Sequence, residues 1–171
     1  EILIKEFLRL LWSYRYFQLF SSYQRSLKNS LIEFPQATYS ILSELYKDFQ
    51  INVKVEQDKI RAADTIVFVY PIFWYGFPSL LDRYVEQVFV HGFGHGSKGE
   101  VTGKKFLAAF TTGAPESLYT HEGAFKYTAD EFFEPKLKAC EDYVNLITAD
   151  MFLLVELVIF LEVILIKKII Y

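Results

Sequence analysis

The stretch ADTIVFVYPIFWYGFPSLLDRYVEQVF, residues 63–89, decides the fold class of this chain. Its first part, bounded by Asp64 and Pro71, is a continuous run of apolar, strand-forming residues, which is typical of a strand covered on both faces of a parallel sheet. After an aromatic turn, apolar residues recur at helical spacing from Leu80 to Val88, and Pro78 suits the first turn of a helix. The stretch therefore predicts a strand, a loop and a helix in succession.

The same unit recurs further along the chain. The segment KKFLAAFTTGAPES, residues 104–117, predicts a second buried strand that ends in a small-residue turn. A helix is expected to follow Thr128, because Glu131 three residues later completes a capping pattern, and Pro135 is expected to kink or divide it. Such alternation indicates an α/β fold with right-handed crossovers and helices on both faces of a parallel sheet.

The amino-terminal part of the chain gives weaker signals. The first strand is expected at Ile2–Ile4 or, preferably, at Tyr16–Phe20, where the register with the later elements is better. The segment YSILSELYKDF, residues 39–49, is compatible with a strand or a helix, and the pattern alone leaves both open.

Composition restricts the domain organisation and the classes of partner. With 171 residues, of which 52% are apolar, the chain suits one domain spanning residues 1–171. The net charge is −3 and no cluster of Lys and Arg stands out, so the chain lacks the basic surface expected of a nucleic-acid-binding protein. The single cysteine, Cys140, allows no internal disulfide and favours a reducing, cytoplasmic setting, where we expect it to be a buried thiol. The apolar run Met151–Ile166 is shorter than a bilayer span and contains two glutamates, so we interpret it as core.

A ligand site is predicted at one edge of the sheet. In parallel α/β sheets ligands bind outside the carboxyl ends of the strands, where the loops Pro71–Phe77 and Thr111–Tyr119 should meet. The first loop supplies flat aromatic faces and the second supplies accessible backbone N–H groups. An isoalloxazine ring has an apolar half and a polar half that match these two surfaces. The alternative, that the aromatic residues belong to the core or to a dimer interface, stays open on composition alone.

Two motifs carry a family resemblance. The segments YPIFWYGFPSLLDRYVEQVFVHGFGHG and GKKFLAAFTTGAPESLY together resemble the NAD(P)H:quinone oxidoreductases of the flavodoxin-like superfamily, over roughly residues 26–140. The pattern is most similar to the ancillary quinone reductases of glutathione-gated potassium efflux systems. The resemblance implies a flavodoxin-like three-layer sandwich whose central parallel sheet has five strands in the order 2-1-3-4-5.

The resemblance also implies the site residues. The flavin wall is expected from the first loop, and the pyrimidine edge of the flavin is expected to bind the second loop, with Tyr119 closing the pocket. Ser26 and Asn29 match phosphate-binding positions at a helix start, although such residues are also common helix caps. The expected cofactor-binding residues are Ser26, Asn29, Pro71, Ile72, Phe73, Trp74, Tyr75, Thr111, Thr112, Gly113, Ala114 and Tyr119. The expected catalytic residues are Thr112, Gly113 and Tyr119.

Some positions depart from the family pattern. The segment LFSSYQRS replaces the usual His-Pro of the first loop, which puts the phosphate site in doubt. Phe125 stands where some relatives carry a histidine, and nearby His121 is interpreted as a solvated loop residue. His91 and His95 are separated by three residues but lack further ligands, so no metal site is predicted. The glycine-rich segment HGFGHGSKGE, residues 91–100, is interpreted as a mobile loop over the active site.

The resemblance finally implies a function. The chain is expected to be a flavoprotein, with FMN or FAD, that transfers two electrons from NAD(P)H to a quinone with ping-pong kinetics. A homodimer is expected, because the aromatic edge would otherwise expose a large apolar surface. The alternative is a flavin-binding regulatory subunit of a potassium efflux transporter with little turnover of its own. The expected location is the cytoplasm, with peripheral attachment to the inner face of the membrane through a partner as the variant.

Overall fold

A parallel β-sheet forms the centre of the protein in the computed structural model, which describes residues 7–11, 37–112 and 114–153. Its strands are β1 (Phe7–Leu11), β2 (Ala37–Ile41), β3 (Thr65–Pro71), β4 (Lys105–Thr111) and β5 (Ile147–Leu153). The described strands lie in the order β2-β1-β3-β4-β5, and every neighbouring pair is parallel. The predicted flavodoxin-like α/β fold is therefore confirmed.

Four α-helices lie in the described part of the chain. They are α1 (Leu42–Leu45), α2 (Val53–Ala62), α3 (Ser79–Val88) and α4 (Ala129–Val144). The side chain of Asn52 caps α2 by accepting a hydrogen bond from the backbone of Val55 at 3.2 Å. The predicted capping box of α4 is present, since Thr128 and Glu131 exchange side-chain to backbone hydrogen bonds. Within the described residues no helix is long and apolar enough to cross a membrane.

The core lies between the sheet and helices α2, α3 and α4. Every residue of β3 is buried, as its apolar run predicts. Phe68 is central to this core, because its ring contacts the rings of Phe77, Tyr84, Phe89 and Phe106 edge-on at centroid distances of 5.1 to 6.3 Å. Val67 and Val69, which point to the opposite face of the sheet, are also buried, so β3 is covered on both sides.

A buried carboxylate joins the elements on one side of this core. Glu56 of α2 has no exposed surface and accepts hydrogen bonds from Tyr46, Ser40 and Tyr84, which lie on three other segments. Lys59, one turn along α2, forms an ion pair with Glu56 at 2.6 Å and donates a second hydrogen bond to Ser40 at 2.8 Å. The carboxylate therefore ties β2, α1 and α3 to helix α2.

The amino-terminal part of the sheet corrects one sequence expectation and resolves another. The first strand is Phe7–Leu11, between β2 and β3, whereas the two expected stretches, Ile2–Ile4 and Tyr16–Phe20, lie outside the described residues. Residues 39–49 contain both alternatives, since β2 ends at Ile41 and α1 follows directly.

Helix α4 corrects two further expectations. It continues through Pro135, so Pro135 does not divide it, and Phe133 and Leu137 on either side are buried in the core. Cys140 is exposed rather than buried, since the core-facing positions of α4 are Phe133, Leu137, Glu141 and Val144.

Candidate functional site

The two predicted loops meet at the carboxyl edge of the sheet. Pro71 and Thr111, the last residues of β3 and β4, are register partners. The backbone N–H of Ile72 donates to the carbonyl oxygen of Thr111 at 2.7 Å, which continues the pairing one residue into the loops. The expectation that these loops share one edge is met, and they form the candidate site.

The first loop contains an unusual two-residue turn. Phe73 and Gly76 exchange backbone hydrogen bonds of 3.2 and 3.0 Å, which leaves Trp74 and Tyr75 at the tip. Both tip residues have left-handed backbones, with φ of 48° and 62°. Turns of this kind normally use Asn or Gly, and a left-handed residue with a side chain costs about 1–2 kcal/mol. Such backbone strain is concentrated at functional sites.

The turn directs its aromatic side chains to different surroundings. Trp74 is 96% exposed, and Tyr75 is about half exposed. Pro71 is buried, whereas Ile72 and Phe73 are partly buried against the core. Within the described residues no acceptor contacts the backbone N–H of Trp74. The tip therefore presents a free aromatic face and a backbone donor on a loop that is otherwise anchored.

The second loop lies beside this turn. Thr111, Thr112 and Ala114 are partly buried, and the Thr112 hydroxyl donates to the carbonyl oxygen of Ala114 at 2.8 Å. Gly113, together with Ser26 and Asn29, lies outside the described residues, and the predicted roles of these three residues stay predictions.

Tyr119 lies deeper than a residue that covers an open pocket. Its side chain is 5% exposed, and its ring contacts Phe125, Phe132 and Phe133 at centroid distances of 4.9, 6.1 and 5.7 Å. Burial raises the pKa of the Tyr119 hydroxyl, while the neighbouring Thr112 side chain acts in the opposite direction. Tyr119 therefore stays protonated at neutral pH and is available as a neutral hydrogen-bonding group.

The histidine near this loop is a surface residue. His121 is 63% exposed in its side chain, and its Nε2 atom lies 3.7 Å from Oε2 of Glu131. Its Nδ1 atom lies 3.4 Å from the carbonyl oxygen of Lys126. This agrees with its interpretation as a solvated loop histidine, and Phe125, rather than a histidine, contacts the ring of Tyr119.

Sequence reasoning missed the contribution of helix α4 to this edge. Tyr75 stacks on Phe132 with ring centroids 5.2 Å apart and planes 28° from parallel. The ammonium group of Lys136, one turn further along, lies 4.4 Å from the centre of the Phe77 ring and 3.6 Å from Asp82. The only sequence signal was the adjacent pair Phe132 and Phe133 in a helical segment, and such pairs are just as common in a hydrophobic core that has no functional site.

The glycine-rich segment does not lie over this site in the same chain. It follows α3, its last residue Glu100 pairs with Arg61 of α2, and the chain then leads into β4. Lys105 donates its backbone N–H to Asp64 and Gly103 donates to Asn145, which both precede strands. The segment therefore lies at the amino-terminal edge of the sheet, because α3 runs antiparallel to the strands that flank it. Among the described residues, no group of His, Cys, Asp and Glu side chains could hold a metal ion.

Comparison with known proteins places the chain among flavodoxin-like proteins. A family model described as flavodoxin-like fold matches residues 3–159. An uncharacterized NAD(P)H oxidoreductase of Bacillus subtilis, YdeQ, is 34% identical over 116 residues, which are 67% of this chain and 59% of that protein. The glutathione-regulated potassium-efflux system ancillary protein KefF of an Enterobacter species is 44% identical over 79 residues, 46% of this chain and 45% of its own length.

A solved structure extends the comparison. General stress protein 14 of Treponema denticola, solved in complex with FMN, superposes with a TM-score of 0.79 at 27% identity, covering 86% of this chain and 84% of its own. The chain spans about half the length of the curated relatives it matches.

Proposed function

Because the chain belongs to the family of flavodoxin-like fold, we propose that it is a flavin-dependent NAD(P)H oxidoreductase that reduces quinones or similar small acceptors. One observation carries the proposal: a strained turn holds Trp74 almost fully exposed beside the Thr111–Ala114 loop, at the carboxyl edge of a parallel sheet. Flat ligands bind at this edge in such sheets. The relatives named as NAD(P)H oxidoreductases support the reaction class.

The described residues fit a flavin in shape and chemistry. The exposed ring of Trp74 offers a flat apolar face, and the backbone at Trp74 and around Thr112 offers donors for a polar ring edge. When bound, a flavin supplies two-electron transfer between a nicotinamide and an acceptor. FMN and FAD are both compatible with this edge. Ser26 and Asn29 are proposed to hold the phosphate, and Gly113 is proposed to donate beside Thr112.

The chain's own contribution is positioning rather than acid–base chemistry. Tyr119 is buried and neutral, and His121 is exposed and directed to Glu131, so neither is placed as a strong acid in the site. We propose that protons for the reduced acceptor come from water, while Thr112 and Tyr119 orient the bound molecules. One edge then serves the nicotinamide and the acceptor in turn, which predicts ping-pong kinetics.

Steady-state kinetics test this proposal. Protein saturated with FMN or FAD is assayed with NADPH and a simple benzoquinone, each varied at several fixed concentrations of the other. Parallel double-reciprocal lines are expected, because the first product leaves before the second substrate binds. Intersecting lines would refute the shared site, and the absence of turnover with both flavins and both nicotinamides would refute the enzyme.

A second candidate function follows from the similarity to KefF. The chain would then be an ancillary subunit that binds the cytoplasmic domain of a potassium efflux transporter and turns over slowly. Co-purification of a membrane transporter together with negligible quinone reduction would favour this function.

The arrangement of the complete protein is also proposed. The exposed Trp74 and Tyr75 suit a homodimer, which light scattering would refute by finding a monomer with bound flavin. We further propose that the order of the described strands holds for the whole sheet, with helices on both faces.

A further inference from the structure

The strained turn of the candidate site packs against helix α4 through the side chain of Tyr75. Nothing in the side chains of Trp74 and Tyr75 favours a left-handed backbone, so the surrounding structure must hold both residues in it. The ring of Tyr75 meets two aromatic rings: it stacks on Phe132 at 5.2 Å and meets Phe125 edge-on at 6.0 Å. Trp74 itself is 96% exposed and has no comparable anchor among the described residues.

We propose that Phe132 is a positioning residue for the flavin wall, an inference that rests on the proposed function. By stacking on Tyr75 it fixes the left-handed turn, and so it fixes the direction of the adjacent Trp74. Phe132 lies on α4, far from the turn in sequence, and its ring contact with the aromatic wall is the stacking on Tyr75.

Phe132 is itself held firmly. It lies in the first turn of α4, where its backbone N–H donates to the carbonyl oxygen of Thr128 at 3.1 Å, and the capping box fixes that end of the helix. Its ring also contacts Tyr119, at 6.1 Å, and Phe125, at 5.9 Å. Because Phe132 is restrained in this way, its ring can hold the side chain of Tyr75 in a fixed position relative to α4.

The same face of α4 meets the turn at a second point. Lys136 follows Phe132 by four residues, so both project from one face of the helix. A Cβ atom added to Gly76, the last residue of the turn, would lie 3.5 Å from the ammonium nitrogen of Lys136. The ammonium group also lies over the ring of Phe77. Helix α4 therefore meets the turn at Tyr75 and beside Gly76, with the stacked pair Tyr75–Phe132 as the main contact.

The test compares three variants of the full chain in a Trp12→Phe background, so that Trp74 is the single tryptophan. Phe132→Leu removes the stacking, Phe132→Tyr keeps it, and Tyr127→Leu is the matched control. Tyr127 is more than half exposed, and its ring contacts Phe132 but has no contact with Tyr75. Each variant is first shown to be folded by far-ultraviolet circular dichroism. FMN affinity and the fluorescence anisotropy of Trp74 without ligand are then measured.

Phe132→Leu is expected to weaken FMN binding by about fivefold to tenfold, the size of one aromatic pair, and to lower the anisotropy of Trp74. Phe132→Tyr and Tyr127→Leu should behave as the background protein does. The proposal is overturned if Phe132→Leu leaves both quantities unchanged, or if Tyr127→Leu changes them as much. A background protein that binds neither FMN nor FAD would refute the proposed function instead. In that case the anisotropy alone decides the positioning role, and an unchanged value refutes it.

Discussion

Replacing Glu56 by alanine should destabilise the fold strongly without touching the candidate site. The carboxylate has no exposed surface, and it accepts hydrogen bonds from Tyr46 and Lys59 at 2.6 Å, from Ser40 at 3.2 Å and from Tyr84 at 3.4 Å. Alanine leaves three hydroxyl groups and a partly buried ammonium group without their shared acceptor.

The expected loss in the free energy of unfolding follows from the cost of breaking a buried ion pair. Removing one partner of such a pair costs about 3–5 kcal/mol. Ser40 and Lys59 keep their mutual hydrogen bond of 2.8 Å, so the loss of stability is not expected to exceed that range. With a urea m-value of about 2 kcal/mol/M, the midpoint of unfolding should fall by roughly 1.5–2.5 M.

Urea denaturation followed by circular dichroism measures this change. Glu56→Gln keeps one carbonyl acceptor and the side-chain volume, so its midpoint should lie between those of Glu56→Ala and the wild type. Asp58→Ala is the matched control on the same helix, because it removes only exposed ion pairs with Lys54 and Arg61, and it should change the midpoint much less. A loss below about 1 kcal/mol for Glu56→Ala would refute the role of the carboxylate as a shared buried acceptor.

Three other outcomes are expected. Burial raises the pKa of Tyr70 and Tyr84, so these groups stay protonated in the folded protein. Their contribution to the free energy of unfolding is complete below about pH 10 and is lost as the pH rises further, because the unfolded chain then releases the protons. Tyr70→Phe should make the free energy of unfolding, measured by urea denaturation, fall less steeply above that pH, by about 1.4 kcal/mol per pH unit. Equal slopes would contradict this. Thr128→Ala should cost about 1 kcal/mol in thermal unfolding, because it removes the cap of α4, whereas Thr128→Ser should retain most of it. Trp74→Ala should weaken flavin binding in a fluorescence titration with an unchanged melting temperature, since the side chain is almost fully exposed; wild-type affinity would exclude Trp74 from the wall.

The central elements were predictable because their signals are local. The buried run of β3, the helical spacing of α3 and the capping box of α4 each depend on residues close together in sequence. The first strand was not predictable, because its sequence FLRLL lacks β-branched residues and serves a helix equally well. Its pairing with β2 and β3 decides its structure, and that pairing joins residues distant in the chain.

The candidate site divides in the same way. Topology alone brings the loops after β3 and β4 to one edge, so the positions of Trp74 and Thr112 followed from the sequence. The left-handed backbone of the turn could not be predicted from the sequence, because tryptophan and tyrosine rarely adopt it and no local motif indicates it. The stacking of Tyr75 on Phe132 depends on how α4 crosses the sheet edge, which only the tertiary structure fixes.

An anaerobic absorption titration tests the proposed function most directly. The purified protein, supplied with FMN or FAD where it carries none, is titrated with NADPH and then with a simple benzoquinone. Flavin absorption bands that bleach with NADPH and return with the quinone are the predicted result. A protein that takes up neither flavin, or whose bound flavin does not respond to NADPH or NADH, would contradict the assignment of this sheet edge as an oxidoreductase site.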